Sequence, residues 1–136
     1  MTSSFVKSER VLIEGHFTPA TIVIENGKIS SIEDLNFPVT GAHSKTKIHD
    51  FGKKTLIPGL VDTHVHINEP GRAHWEGFAT ATQAAAAGGI TTVVDMPLNC
   101  NPVTTTADAL NQKLASLEEK LWIDCGFWGG VVPDNL

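Results

Sequence analysis

The sequence predicts an α/β protein in which a small β module, residues 1–57, precedes a βαβαβ unit on a parallel sheet, residues 58–136. Three observations carry that prediction. Two β-branched runs, residues 20–25 and 28–32, flank Asn26-Gly27, the pair best suited to a type I′ hairpin turn because both central residues need positive φ. After Pro58 the hydrophobic rhythm changes to strand, helix, strand, helix, strand, the order that builds parallel sheets with right-handed crossovers. Residues 90–95, Ile-Thr-Thr-Val-Val-Asp, have the apolar, β-branched composition of a strand buried on both faces.

Taken in order, residues 5–56 read as short strands and turns. Residues 35–47 are polar and broken by Pro38 and Gly41, so they read as a loop; residues 48–51 form another short strand before a Gly52-Lys53 turn. Residues 60–65 are the first strand of the second half. Residues 75–87 predict a helix built on alanine, the best helix former, and stopped by Gly88 at the C′ position. The next helix starts near Thr105, with Asp108 as a capping-box analogue. Its Leu110, Leu114, Leu117 and Leu121 fall at i, i+4, i+7 and i+11, which predicts one apolar face turned to the core. Residues 122–128 form the third strand, followed by Gly129-Gly130.

With 136 residues, 41% hydrophobic and 18% charged, the chain suffices for one ordinary domain with a core. A formal charge of −5 without runs of like charge argues against nucleic-acid and anionic-membrane partners. Residues 1–10 lack the apolar region of a signal peptide and no run approaches 18 apolar residues, so an intracellular, cytoplasmic location is expected. Cys100 and Cys125 form no CxxC pair and no disulfide framework. A buried free thiol is expected for Cys125; Cys100, beside Asn99, lies nearer any site but has no base placed to activate it.

The stretch richest in chemistry is Asp62-Thr63-His64-Val65-His66. Side chains of a strand alternate faces, so Asp62, His64 and His66 project the same way. Two neutral imidazoles on a stiff backbone suit a Zn²⁺ at roughly 2.0 to 2.1 Å each, and Asp62 fits an acceptor that orients a ring. The competing account of such a pair is two strand histidines, one exposed and one bonded to a backbone carbonyl.

Downstream follow Asn68-Glu69-Pro70-Gly71-Arg72, Trp75-Glu76-Gly77-Phe78, the alanines at 84–87, Gly88-Gly89-Ile90-Thr91-Thr92 and Met96-Pro97-Leu98-Asn99. Together with the histidine pair, this ordered set resembles the amidohydrolase superfamily of metal-dependent hydrolases, in its cyclic-amide branch with dihydroorotase and hydantoinase, and within that branch the allantoinases. The resemblance implies a metal-bearing (β/α)8 barrel flanked by a β-sandwich made from both ends of the chain. Residues 1–57 then correspond to one part of the sandwich and residues 58–136 to the first three strands of an incomplete barrel, since a whole barrel takes about 250 residues.

The resemblance further implies two Zn²⁺ per complete subunit, with His64 and His66 as ligands to one. A carboxylated lysine from strand four, two histidines from strands five and six and a catalytic aspartate from strand eight would lie beyond residue 136, leaving no catalytic residue in this chain. His16, His43 and His49 match no ligand position and read as solvated or satisfied histidines; His74 lies in the loop after the metal strand and is not expected to bind. The implied substrate is a small cyclic amide or ureide. The implied reaction is opening of the hydantoin ring of allantoin to allantoate in purine catabolism, by a homo-oligomer. Zinc-bound water with a pKa near 7 and a polarised carbonyl would supply the chemistry. A hydantoinase or dihydropyrimidinase activity is the alternative, as is a non-catalytic truncated product.

Loops after the strands set substrate choice in such barrels. In dihydroorotase an arginine follows the histidine pair almost immediately, whereas Ile67-Asn68-Glu69 stands here, which argues against dihydroorotate. Arg72 is the first substrate-binding candidate, with a loop-structuring ion pair to Glu69 or Glu76 as the competing account. Asn99 is the second, with a turn before Asn101-Pro102 as its competitor. By itself the chain is expected to be inactive and to expose unpaired strand edges.

Overall fold

The computed structural model describes residues 3–38 and 47–136, and the chain divides into two compact units, Met1–Pro58 and Gly59–Leu136. In the first unit, β1 (Ser3–Ile13), β2 (His16–Glu25), β3 (Lys28–Asp34), β4 (Lys47–Asp50) and β5 (Thr55–Leu56) form one sheet. Its order is β3-β2-β1-β4, with β5 also on β1. β1, β2 and β3 are antiparallel, whereas β4 and β5 run parallel to β1. Asn26 and Gly27 have φ of 52° and 77°, the double positive φ that their hairpin turn demands. Glu14 and Gly15 repeat this at 48° and 84° between β1 and β2, a turn the sequence did not announce because Glu is a poor residue for it.

Phe5, Ser8 and Val11 are the buried residues of β1. Phe5 and Ser8 lie in continuous register with β2 and so face opposite sides of the sheet; between Ser8 and Val11 the register shifts, as where a bulge adds a residue to one strand. Ser8 Oγ steadies the irregularity, accepting the Arg10 amide at 3.0 Å and lying against the carbonyls of Gly52 and Lys54. Of the loop expected over residues 35–47, residues 39–46, including His43, lie outside the described residues.

The second unit carries a parallel sheet, β6 (Leu60–Val65), β7 (Ile90–Asp95) and β8 (Asp124–Phe127), in the order β6-β7-β8. Helix α1 (Phe78–Ala87) joins β6 to β7, α2 (Ala107–Ala115) joins β7 to β8, and a 3-10 turn, Pro133–Asn135, follows. The expected βαβαβ order and parallel pairing are both present. Helix α1 packs on β7, where Val93 and Asp95 are buried. Thr92 and Val94 on the opposite side are only half-buried, so β7 is not covered on both faces as its composition suggested. No helix of the described residues is long and apolar enough to cross a membrane.

Five local expectations need correction. Helix α1 begins at Phe78 rather than residue 75, because the Trp75 amide closes a turn on Arg72 O at 2.9 Å and Gly77 is the N-cap. Gly88 at its end is still right-handed, and Gly89, φ 83°, supplies the left-handed residue. Helix α2 is capped by Thr106, whose side chain accepts the Ala109 amide at 3.1 Å, so Thr105 is not the cap and Asp108 serves as a first-turn acid instead of closing a capping box. The leucine stripe is not the core face: α2 ends at Ala115, Leu114 and Leu121 are exposed, and its buried residues are Ala109 and Lys113. Strand β8 is also shorter than residues 122–128, because its pairing with β7 runs only from Thr92↔Asp124 to Asp95↔Phe127.

The roles of Thr106 and Asp108 should therefore separate on mutation. Thr106→Ala is expected to cost ~1 kcal/mol of unfolding free energy, and Asp108→Asn about half of that or less, through the helix dipole alone. Denaturant unfolding of the two variants checks the order.

Candidate functional site

Strand β6 ends at Val65, so His64 lies within its last turn of pleat and His66 just beyond it. Both histidines are exposed, with ring centroids 5.3 Å apart and planes inclined at 56°. Two imidazoles sharing one tetrahedral Zn²⁺ at normal bond lengths have centroids roughly 5 Å apart, so the pair fits half of a zinc shell. Among the described residues no group of three His, Cys, Asp or Glu side chains completes one. Asp62 Oδ1 accepts the backbone amide of His64 at 3.1 Å, so its observed contact stiffens the strand end rather than turning a ring; a short local bond of this kind is the usual habit of aspartate.

The peptide groups on either side of His66 are both fastened to the end of β7. The Met96 amide donates to Val65 O at 2.8 Å, and the Ile67 amide donates to Asp95 Oδ1 at 2.7 Å. Asp95 Oδ2 meets Lys113 Nζ at 2.6 Å, with both side chains 0% exposed. The ammonium also lies 3.4 Å from Met96 O and 5.9 Å from the centroid of Phe127. Burial pushes the Asp95 carboxyl above the usual carboxylate value, against the pull of Lys113 and the Ile67 amide. Neither Asp95 nor Lys113 was singled out from the sequence. The available signal was an acid closing an otherwise apolar strand.

The loop between β6 and α1 is pinned by Glu69, 8% exposed. Its Oε2 accepts the Phe78 amide at 2.9 Å, at the start of α1, and its Oε1 pairs with Lys120. A carboxylate there satisfies an orphan amide and meets the positive end of the helix dipole. The Asn101 amide donates to Pro70 O at 2.8 Å, tying this loop to the one after β7. At Gly71, φ 89°, an added Cβ would stand 2.6 Å from Asn101 O, so the backbones meet where only glycine fits.

The two substrate-binding candidates come together across these loops. Arg72 Nη1 donates to the backbone carbonyl of Asn99 at 3.4 Å, and its guanidinium lies 5.3 Å from the ring centroid of Trp75, itself 64% exposed. The alternative ion pair is not formed: among the described residues the pairs are Lys7–Asp50, Lys113–Asp95 and Lys120–Glu69. Asn99 has φ 71°, a left-handed turn conformation that asparagine tolerates. His74 stands edge-on to Trp75 at 6.0 Å. His16 and His49 belong to β2 and β4 in the first unit.

Both cysteines are free; Cys100 is buried, with its Sγ 3.6 Å from Pro97 O and from Thr104 Oγ1, and Cys125 is half-buried. Desolvation, with Asp95 nearby, pushes the Cys125 thiol from an ordinary 9.0 to about 11. Alkylation of Cys125 at pH 8 should therefore run about 100-fold slower than that of an ordinary thiol, following the thiolate fraction. Mass spectrometry of an iodoacetamide time course measures it, and a rate equal to that of a free peptide thiol would contradict the assignment.

Comparison with known proteins gives a consistent result. The sequence pattern of the Amidohydrolase family matches residues 55–135. The chain is 51% identical over 133 residues to an allantoinase of Streptomyces avermitilis, covering 96% of this chain and 29% of that protein. It is 47% identical to the Saccharomyces cerevisiae allantoinase, covering 100% of this chain and 31% of the relative. Among solved structures, the L-hydantoinase (dihydropyrimidinase) of Arthrobacter aurescens superposes with a TM-score of 0.84 at 33% identity, over 99% of this chain and 29% of that one. The chain thus spans less than a third of the length of these relatives.

Proposed function

Since the chain belongs to the amidohydrolase family, we propose that it forms the metal-strand segment of an allantoinase, a hydrolase that opens the hydantoin ring of allantoin to allantoate in purine breakdown. The observation that carries the proposal is the exposed His64–His66 pair, 5.3 Å between centroids at the end of β6, in a sequence 51% identical to an allantoinase. In this reading the first unit belongs to a β-sandwich and β6, β7 and β8 are the first three strands of a (β/α)8 barrel. The enzyme would act as a homo-oligomer.

His64 and His66 hold one zinc ion of a pair, oriented by a strand whose end is fixed on both sides of His66. When bound, zinc acidifies water to a pKa of about 7 and polarises a carbonyl. Arg72 uses one N–H on Asn99 O, and a guanidinium carries five donors. The remainder are free to take the carbonyl oxygens of a ureide ring, with Trp75 beneath the guanidinium plane and Asn99 at the facing loop. The carboxylated lysine, the other histidines and the proton-shuttling aspartate are assigned to the parts of the enzyme these residues do not include. Residues 1–136 alone hold two ligands where about three and a water are needed, so they should not turn over substrate. A hydantoinase or dihydropyrimidinase is the second reading, favoured by the likeness to the Arthrobacter aurescens structure.

In the full-length enzyme, His64→Ala or His66→Ala should remove one metal equivalent and nearly all ring-opening activity, as metal analysis and an allantoin assay measure. Full metal content with unchanged turnover would reject the ligand assignment. With Ile67-Asn68-Glu69 following the histidine pair where dihydroorotase has its arginine, kcat/KM for allantoin should far exceed that for dihydroorotate. Comparable values would reject the loop assignment, and a preference for dihydrouracil or for hydantoins with an alkyl or aryl group at C5 over allantoin would favour the second reading.

A further inference from the structure

We infer that Asp95, charge-balanced by Lys113, is a positioning residue that sets the direction of His66. The inference rests on the reading of His66 as a metal ligand. His66 follows the last residue of β6, so the β6–β7 pairing, whose last partners are Val65 and Asp95, does not extend to it. Its backbone is held instead by the two bonds that flank it, Met96 N–H to Val65 O and Ile67 N–H to Asp95 Oδ1. The first is main chain to main chain. The second depends on one side chain.

Asp95 divides its polar atoms among three directions. Oδ1 takes the amide after His66, Oδ2 takes the Lys113 ammonium on α2, and its backbone carbonyl takes the Trp128 amide at 2.9 Å just past β8. An ionised carboxylate accepts the Ile67 amide more strongly than a neutral acceptor would, and with both side chains 0% exposed the carboxylate has no water to turn towards. Lys113 holds the carboxylate from behind by a 2.6 Å contact, which fixes the angle at which Oδ1 meets Ile67. Burial of such a pair is poor evidence for stabilisation by itself, because apolar replacements of similar volume are often as stable. Its placement against the residue after His66 gives it a specific task. Side chains that orient metal ligands without touching the metal typically change affinity about 10- to 100-fold when removed.

Two double variants of the full-length enzyme separate orientation from charge burial. Asp95→Asn with Lys113→Met removes both charges and keeps an acceptor for the Ile67 amide; Asp95→Leu with Lys113→Met removes both charges and the acceptor. Zn²⁺ affinity is measured by chelator competition, and the visible spectrum of the Co²⁺-substituted protein reports ligand geometry. The asparagine variant, which keeps a weaker, neutral acceptor, is expected to bind within a few-fold of the wild type, and the leucine variant roughly 10- to 100-fold more weakly than the wild type, with a shifted Co²⁺ spectrum. Equal affinities in the two variants, at whatever level, overturn the inference. If the leucine variant fails to fold, Asp95→Ser with Lys113→Met replaces it, its hydroxyl being too short to reach Ile67, under the same criterion. His66→Ala is the control: unchanged metal content there refutes the ligand reading, whereas lost metal there with equal affinities in the double variants refutes only the positioning role.

Discussion

Much of the second unit is arranged around one buried ion pair. Asp95 and Lys113 are 2.6 Å apart and wholly enclosed, and neither charge tolerates the loss of the other, since an uncompensated buried charge costs about 3 to 5 kcal/mol. That constraint propagates outward. Lys113 must face the sheet, which brings the Ala109 side of α2 inward. Asp95 must stay beneath the β6–α1 loop, which holds Ile67. The ends of all three parallel strands are thereby tied, because Asp95 also accepts the Trp128 amide and Met96 donates to Val65.

The regular elements were legible in the sequence where a local rule decides them. The bounds of β6 and β7 follow from apolar, β-branched runs closed by glycine or a turn, and the Asn26-Gly27 hairpin from the need for positive φ. Helix ends were less legible because their determinants lie far along the chain. The Phe78 amide is capped by Glu69, nine residues earlier, which lowers the weight of local propensity at residues 75–77. The facing of α2 was read from leucine spacing, yet an electrostatic contact with Asp95 outweighs a stripe whose last members lie outside the helix.

At the candidate site, period two was enough to bring His64 and His66 side by side, and the order of motifs singled out Arg72 and Asn99 as separate candidates, which the fold brings into contact. How those two meet was not legible. The contact uses the Asn99 main chain, and a backbone carbonyl leaves no mark on residue identity. Glu69 shows the reverse. It was weighed as a partner for Arg72, but its carboxylate is occupied by the α1 amide and Lys120; a half-buried lysine reaching from 51 residues away is invisible to any window of sequence.

The contact between Gly71 and Asn101 has a consequence for how such sites diversify. A main-chain approach this close, reinforced by Asn101 donating to Pro70 O, makes the loops after β6 and β7 a single mechanical piece. Neither can lengthen, shorten or change its path without displacing the other. Transplanting one of them from a relative with a different ring preference would import half of a joint, so the two loops should travel as one unit of inheritance and of engineering.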